Sequence, residues 1–307
     1  MSISINISPA ESLHPQRHWI TLDEGKEFHE NLKFRVCTYN LLDTKHAKRD
    51  KYDYCIDEVL SWGYRKSLII KQVLDYSPDL MSFQEVEPAM YNDLKLELKN
   101  YDSTYFQKTP YSRKKDKKNP KEVELYKIPI IFCGTHIYWN PEFVDVKLIQ
   151  TMILLSELKE FRCFIADEID EEKIPMIIAG DFNSIPKSSV FSYITKGYLL
   201  RTNKELGPFL GKNYLDSLSD SNDPRFYQHG LKLDSLSQQY VPFTNFWTKF
   251  KDTLDYIFST PDLLCLKVLG PIDDKWYINN RIIGFPNEFV PSDHIPVVVE
   301  YAYVMEE

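Results

Sequence analysis

A series of polar residues stands where metal-assisted hydrolysis of a phosphoester would need them. Asn40 follows the stretch FRVCTY, Glu85 follows LMSFQ, and His136 follows IPIIFCGT. Asp181 and Asn183 follow IPMIIAG, Asp255 opens DYIF, and Asp293-His294 precede the last apolar run. Magnesium takes oxygen ligands and keeps several waters, so one carboxylate plus substrate phosphate can hold it. Glu85 fits as the main ligand, with Asn40 orienting it or completing the shell and Asp293 as a further oxygen donor. In-line attack on phosphorus needs a water that loses a proton, and Asp181 or His294 could take it. Asn183 suits holding that water or a non-bridging oxygen. Asp255 could fix the tautomer of His294 and stabilise its charged form. His136 could donate to the phosphoryl oxygen as charge builds there.

Singly, most of these residues have plainer explanations. Asn40 alone is an ordinary strand-end residue, and His136 alone reads as a satisfied core histidine. Gly180 to Ser184 has the residue types of a turn, and Ser292-Asp293-His294 could be a helix cap or a surface pair. Glu85 is harder to dismiss, because an acid directly behind a buried apolar run must be exposed, paired or metal-bound. The reading rests on their joint order. In open α/β folds the site lies outside the strand ends, where these residues could converge.

The elements that must position them alternate between apolar strands and amphipathic helices. Strands are expected at Phe34–Leu42, Asp79–Val86, Lys127–Ile137 and Ile174–Ala179. Helices are expected at Tyr64–Tyr76, Ala89–Asn100, Asp145 to about Ile169 and Ser188–Lys196, from apolar positions at helical spacing. The last third reads as strands at Phe243–Trp247, Leu254–Ser259, Cys265–Leu269 and Val297–Val304. With no repeat and no linker-like shift in composition, this rhythm predicts one α/β domain over 34–307 and an N-terminal extension over 1–33.

The chain has 307 residues, with 43% hydrophobic and 27% charged, enough to bury a core. No apolar run is long enough for a membrane helix, and the start lacks the pattern of a secretory signal. Cys37, Cys55, Cys133, Cys163 and Cys265 are odd in number and never spaced as CxxC, which argues against a zinc ribbon or a disulfide framework and fits a reducing compartment. A net charge of −8 means the overall field does not attract phosphates, so a bound cation or a local basic patch must do so. Arg113–Lys121 (RKKDKKNPK) is the densest basic run; it reads as a solvated loop, with a phosphate-binding patch as the functional alternative.

The motifs TYN, SFQEVE, THxxWNP, GDFNS, LDYIF and SDH, in that order, resemble the endonuclease/exonuclease/phosphatase superfamily. Longer blocks such as YRKSLIIKQVLDYSPDLMSFQEVE and PFTNFWTKFKDTLDYIF are similar to its deadenylase branch, which holds the nuclease of the Ccr–Not complex, Angel and Nocturnin. The resemblance runs from Phe34 to the C-terminus. It implies a four-layer α/β/β/α sandwich with two central mixed sheets, and 3′-to-5′ removal of poly(A) with release of AMP. It also implies Mg²⁺, with Mn²⁺ as a substitute, held by Glu85 with Asn40 beside it. Asp181 and Asn183 match the pair at the attacking water, Asp255 and His294 the acid–histidine couple, and His136 the phosphate-facing histidine. Pro141 and Phe250 match the residues that sandwich the substrate adenine, and Asn245 a polar residue near base or phosphate.

Two departures from the family pattern follow. The family has a longer segment, with further strands, where this chain has only Tyr105–Tyr126, so one sheet should be shortened. The 33 residues before the first strand leave no room for a leucine-rich repeat region, the part that docks such nucleases into a Ccr–Not-type complex. The implied partners are single-stranded poly(A) RNA and such a complex, with no membrane, in the cytoplasm and also the nucleus. Alternatives are a phosphatase acting on a nucleotide or an RNA terminal phosphate, and an RNA-binding relative with weakened catalysis.

Overall fold

A computed structural model describes residues 15–22, 32–106, 129–170, 174–207 and 212–304. The basic run Arg113–Lys121 lies outside the described residues. The strands are β1 (Arg17–Thr21), β2 (Lys33–Asn40), β3 (Leu80–Gln84), β4 (Ile131–His136) and β5 (Met176–Asp181). They continue with β6 (Tyr198–Leu200), β7 (Phe226–Gln228), β8 (Asn245–Trp247), β9 (Phe250–Asp252), β10 (Asp255–Ser259), β11 (Leu263–Ile272) and β12 (Val297–Tyr303). The helices around them include the single turn α1 (Asp57–Leu60), α2 (Trp62–Tyr76), α3 (Pro88–Glu97), α4 (Val144–Ile169) and α5 (Ser189–Lys196).

Two mixed sheets form the centre. The larger has the order β1-β11-β12-β2-β3 and the smaller β10-β5-β4. The parallel pairs β2–β3 and β4–β5 are each joined by a helix, α2 and α4, because parallel neighbours require a long crossover. The helices then cover the outer faces. Ile69 and Val73 of α2, with Met90 and Leu94 of α3, pack on Cys37 and Tyr39 of β2. Leu148, Met152 and Leu155 of α4, with Tyr193 of α5, pack on Ile178 of β5 and Phe258 of β10. Between the sheets, Val36, Val297 and Val299 meet Ile177, Ala179 and Ile257. Successive residues of β5 thus face opposite layers, which is why MIIAG is buried throughout. The result is the expected four-layer α/β/β/α sandwich, with three strands in its smaller sheet among the described residues.

The helices begin and end where local chemistry dictates. The Ser61 hydroxyl accepts from the Tyr64 amide at the start of α2, and the Ser188 hydroxyl accepts from the Phe191 amide at the start of α5. Gly197, with φ at 81°, closes α5 in the left-handed region that suits glycine. No helix among the described residues is long and apolar enough to cross a membrane.

One element lies earlier than the sequence indicates. Arg17–Thr21, within the stretch read as an extension, forms edge strand β1 against β11. Arg17 anchors it by donating to the carbonyls of Leu269, Gly270 and Pro296. Five residues with no apolar run carry little strand signal; the partners that make them a strand lie some 250 residues away.

Candidate active site

The strands of both sheets deliver the polar residues to one end of the sandwich. Asn40 ends β2 opposite Gln84, and Glu85 is the next residue after β3. Asn40 is 1% exposed, and its amide nitrogen donates to Glu85 Oε1 and to Asp181 Oδ2, each at 3.0 Å. Its amide oxygen accepts from the Leu42 amide at 3.0 Å, which fixes which way the side chain faces. Glu85 also accepts from the Asp43 amide at 2.9 Å, and His46 Nδ1 stands 3.4 Å from its Oε2. Burial alone would raise the pKa of Glu85, but His46, the Asp43 amide and Asn40 together outweigh it and hold the carboxyl well below the usual range. Leu42, Glu85 and Asn183 all take positive φ without being glycine, a conformation that local bonds must maintain.

In the smaller sheet, Asp181 lies in register with His136 on one side and Asp255 on the other. Gly180 permits this close approach, since a Cβ there would fall 2.0 Å from the Thr135 carbonyl oxygen. Asp181 Oδ1 accepts from the Asn183 amide at 2.8 Å, while His136 Nε2 stands 3.6 Å from Oδ2. The Asn183 side chain donates to the Ile137 carbonyl at 3.1 Å, and Lys147 donates to the Asn183 carbonyl at 2.7 Å. Asp181 is almost wholly buried, and burial together with the charge of Asp255 pushes it up to about 7.

His294 completes the group. Its Nδ1 lies 2.7 Å from Asp255 Oδ2, and its Nε2 points toward Asp181 Oδ2 at 3.8 Å. Thr244 donates to the same Asp255 oxygen at 2.6 Å and so aims it. Burial would lower the histidine, but Asp255, Asp293 and Asp181 overcome that and push it up to about 10. Asp293 sits differently from the other acids: its Oδ2 accepts from Tyr52 at 2.7 Å and from Lys51 at 3.3 Å.

The residues matched to base binding lie on loops around this centre. Asn245 begins β8, is buried, and is bridged along the main chain to His294. Phe250 begins β9 and pairs across the hairpin with Trp247. Pro141 is exposed in the loop that leaves β4 five residues past His136. A cleft of about 710 Å³ runs along the edges of β3 and β4, with Asp43, Glu85 and His136 among its lining residues.

Sequence reading missed four contributors, namely His46, Thr244, Lys147 and Tyr52. Thr244 had a usable signal, since it adjoins Asn245 in the block PFTNFW. His46, Lys147 and Tyr52 had none beyond residue type, because their partners are 39, 36 and 241 positions away.

The donor set suits a hard cation. Ligand atoms of Asp181, Asp255 and His294 lie within 4.8 Å of one another and could hold a metal ion. In that trio, however, His294 Nδ1 and Asp255 Oδ2 are already spent on each other. Glu85, ionised and about one-fifth exposed, is the better placed oxygen donor, with Asp181 reached through the Asn40 amide. Asp255 Oδ1, buried without a hydrogen-bond partner, is the one orphaned oxygen of this group among the described residues.

The Endonuclease/Exonuclease/phosphatase family matches residues 37–294. Among curated proteins, the CCR4-NOT transcription complex subunit 6-like-B of Xenopus laevis is 29% identical, over 96% of this chain and 68% of its own length. That alignment, 379 residues long, exceeds the present chain, so the relative carries insertions that this chain lacks. The CCR4-Not complex 3′-5′-exoribonuclease subunit Ccr4 of Schizosaccharomyces pombe is 26% identical, over 91% of this chain and 50% of its own length. The chain thus spans about half to two thirds of the length of these relatives. Among solved structures, ANGEL2, a 2′,3′-cyclic phosphatase with adenosine-2′,3′-vanadate, superposes with a TM-score of 0.71 at 22% identity, covering 94% of this chain and 99% of that one. The human Nocturnin catalytic domain with bound sulfate gives 0.55 at 18% identity, covering 94% and 98%.

Proposed function

From the finding that the chain belongs to the Endonuclease/Exonuclease/phosphatase family, on the side of its deadenylase branch, we propose that it is a Mg²⁺-dependent 3′-to-5′ exoribonuclease that shortens poly(A) and releases AMP. The observation that carries this is the Asn40 amide shared between Glu85 and Asp181, with His136, Asn183, Asp255 and His294 gathered around Asp181. In this reading Glu85 is the principal ligand and Asn40 orients it. The bound cation supplies positive charge against the phosphate and makes water easier to deprotonate. Asp181, titrating near neutrality, accepts the proton of the attacking water. The water oxygen bonds to phosphorus and the bond to the 3′ oxygen of the preceding nucleotide breaks; that oxygen takes a proton from solvent to become a hydroxyl, Asp181 returns its proton to solvent, and AMP leaves.

His294 is held protonated at neutral pH by Asp255, so its role is to stabilise negative charge rather than to take the first proton. His136 faces the phosphoryl oxygen. Asn183 spends one amide donor on Ile137, which fixes the rest of its amide beside Asp181. Asp293, gripped by Tyr52 and Lys51, serves to seat His294 more than to ligate the ion. Pro141 and Phe250 flank the terminal adenine, with Asn245 beside it. Partners of the Ccr–Not type belong to the same proposal, since the names of the curated relatives place those proteins in such complexes.

The test is incubation of the purified chain with 5′-labelled RNA ending in an adenosine tract, with Mg²⁺ or EDTA, beside Glu85→Ala. A ladder shortening from the 3′ end, only with Mg²⁺ and only in the unaltered protein, supports the proposal. Release of inorganic phosphate from nucleotides or RNA termini, with the tract intact, would replace it with a phosphatase. RNA binding that survives Glu85→Ala without turnover would leave only a binding protein.

A further inference from the structure

Arg65 is fully buried, yet among the described residues none of its guanidinium hydrogen bonds goes to a carboxylate. It donates instead to four main-chain carbonyls: Leu41 at 2.6 Å, Leu42 at 2.9 Å, Leu60 at 3.1 Å and Pro291 at 3.3 Å. Leu41 and Leu42 directly follow Asn40. Pro291 directly precedes Ser292, Asp293 and His294. One planar cation therefore touches both the loop that follows Asn40 and the loop that carries Asp293 and His294. A buried charge is tolerated only when hydrogen-bonded, and the four carbonyls that take its N–H groups are thereby obliged to stay in place around it.

Ser292 forms a second tie between the same loops. Its hydroxyl, also wholly buried, donates to the Asn40 carbonyl at 2.7 Å and accepts from the His294 amide at 3.2 Å. The Leu42 amide in turn holds the Asn40 side chain from the opposite end, and Leu42 does so at φ 60°. That conformation has a reason to persist once the Leu42 carbonyl is bound to Arg65.

We propose that Arg65 and Ser292 act as a two-point clamp that sets the position of the Asn40 amide relative to His294, and that both are positioning residues for the reaction. The role rests on the functional reading above, in which Asn40 orients Glu85 and His294 answers to Asp255. The guanidinium matters for its shape. Lysine keeps the charge but cannot donate along four directions in one plane, so it cannot hold both loops.

The test compares Arg65→Lys and Ser292→Ala with Val73→Ala, which trims the buried face of the same helix α2 eight residues beyond Arg65 and removes no hydrogen bond to either loop. Two readouts are taken well below each variant's melting temperature: kcat and KM on adenosine-tract RNA, and hydrogen exchange of the Leu42 amide. The expected result is a loss in kcat of at least about ten-fold in both clamp variants, with KM little changed, because small misplacement of catalytic groups is costly. Exchange at Leu42 should quicken in both, and Val73→Ala should lose stability with neither change. Wild-type kcat, or unchanged Leu42 exchange, in either folded clamp variant overturns the clamp. If Arg65→Lys does not fold, Ser292→Ala decides alone, since it removes one hydroxyl and buries no charge. If the wild-type chain turns over no RNA, the functional reading fails while the exchange data still judge the clamp.

Discussion

The Asp255 carboxylate stands 2.7 Å from Nδ1 of His294, and both side chains are shut away from solvent. Thr244 holds the acid's bonded oxygen from the other side, so the pair is aimed as well as matched in charge. A buried histidine without such a partner would be neutral at physiological pH; this one is charged because it faces three acids.

Replacing Asp255 with asparagine should therefore silence the histidine without disturbing the packing. His294 would lose its main counter-charge, and its pKa should drop back toward or below the usual imidazole range. We expect kcat to fall by about 10²–10⁴-fold with KM nearly constant, the scale seen when an acid–histidine couple is broken. Steady-state kinetics on RNA would check it, with NMR titration of the ring as the direct observable. Unchanged kcat with a lowered histidine pKa would remove His294⁺ from the mechanism.

The pH dependence follows from two raised pKa values of opposite consequence. Asp181 must be ionised to accept a proton, and it is pushed up to about 7. His294 must stay protonated, and it is pushed up to about 10. The rate should climb through an acidic limb at or below about pH 7, moving lower as Mg²⁺ is raised, and should fall only as pH approaches about 10. A profile of kcat/KM between pH 5 and 10 at two Mg²⁺ concentrations would show both limbs; an acidic limb indifferent to metal would exclude Asp181 as its source.

Asp181 also makes a prediction about stability. Its folded pKa lies above the unfolded value, so the protonated form is favoured by folding. That contribution is fully present below about pH 4 and is lost as pH rises through about 7. Asp181→Asn should accordingly stabilise the metal-free protein at pH 8, by on the order of 2 kcal/mol, and much less at pH 5. Urea midpoints of both proteins in EDTA at the two pH values decide it, and a larger gain at the acid end would reverse the assigned sign.

Which parts of this were legible in the sequence depends on how local their causes are. The run IPMIIAGD announces β5 because burial on both faces leaves no polar position, and Asp181 stands out as an acid at the end of that buried run. Glu85 stood out for the same reason, an acid behind LMSFQ. Arg65 did not stand out, although it shares a helical stripe with the buried Ile69 and Val73, because nothing local marks an arginine as enclosed. His46 reads as one more member of a polar loop until the fold brings it to Glu85. Strand β1 depends wholly on a distant edge.

Asn40 donates to two carboxylates that would otherwise repel across a partly dry space. Asn40→Ala leaves both acids short of a charge-assisted bond, each worth about 1.5–3 kcal/mol. We expect a loss of about 2–4 kcal/mol in the metal-free protein, offset in part by Mg²⁺. Asn40→Asp should be worse, since it sets a third negative charge between the two. Thermal unfolding with EDTA and with saturating Mg²⁺ would measure this; a neutral effect of Asn40→Ala would mean that water takes over the bridge.

The last prediction concerns recognition rather than chemistry. Phe250 and Trp247 face each other across the β8–β9 hairpin, whose first residue, Asn245, is tied to His294 through the main chain. An adenine stacked on Phe250 would thus be registered against the histidine that serves the scissile phosphate. Stacking on one ring is worth about 1–3 kcal/mol, so Phe250→Ala should raise KM by roughly 5- to 150-fold and leave kcat within a few-fold. The preference for adenosine over uridine tracts should shrink in parallel, because the larger purine face gains more from the ring. Kinetics on the two homopolymer tails, wild type against variant, test both halves. A variant that loses kcat while keeping KM and base preference would show that Phe250 shapes the hairpin and does not touch the base.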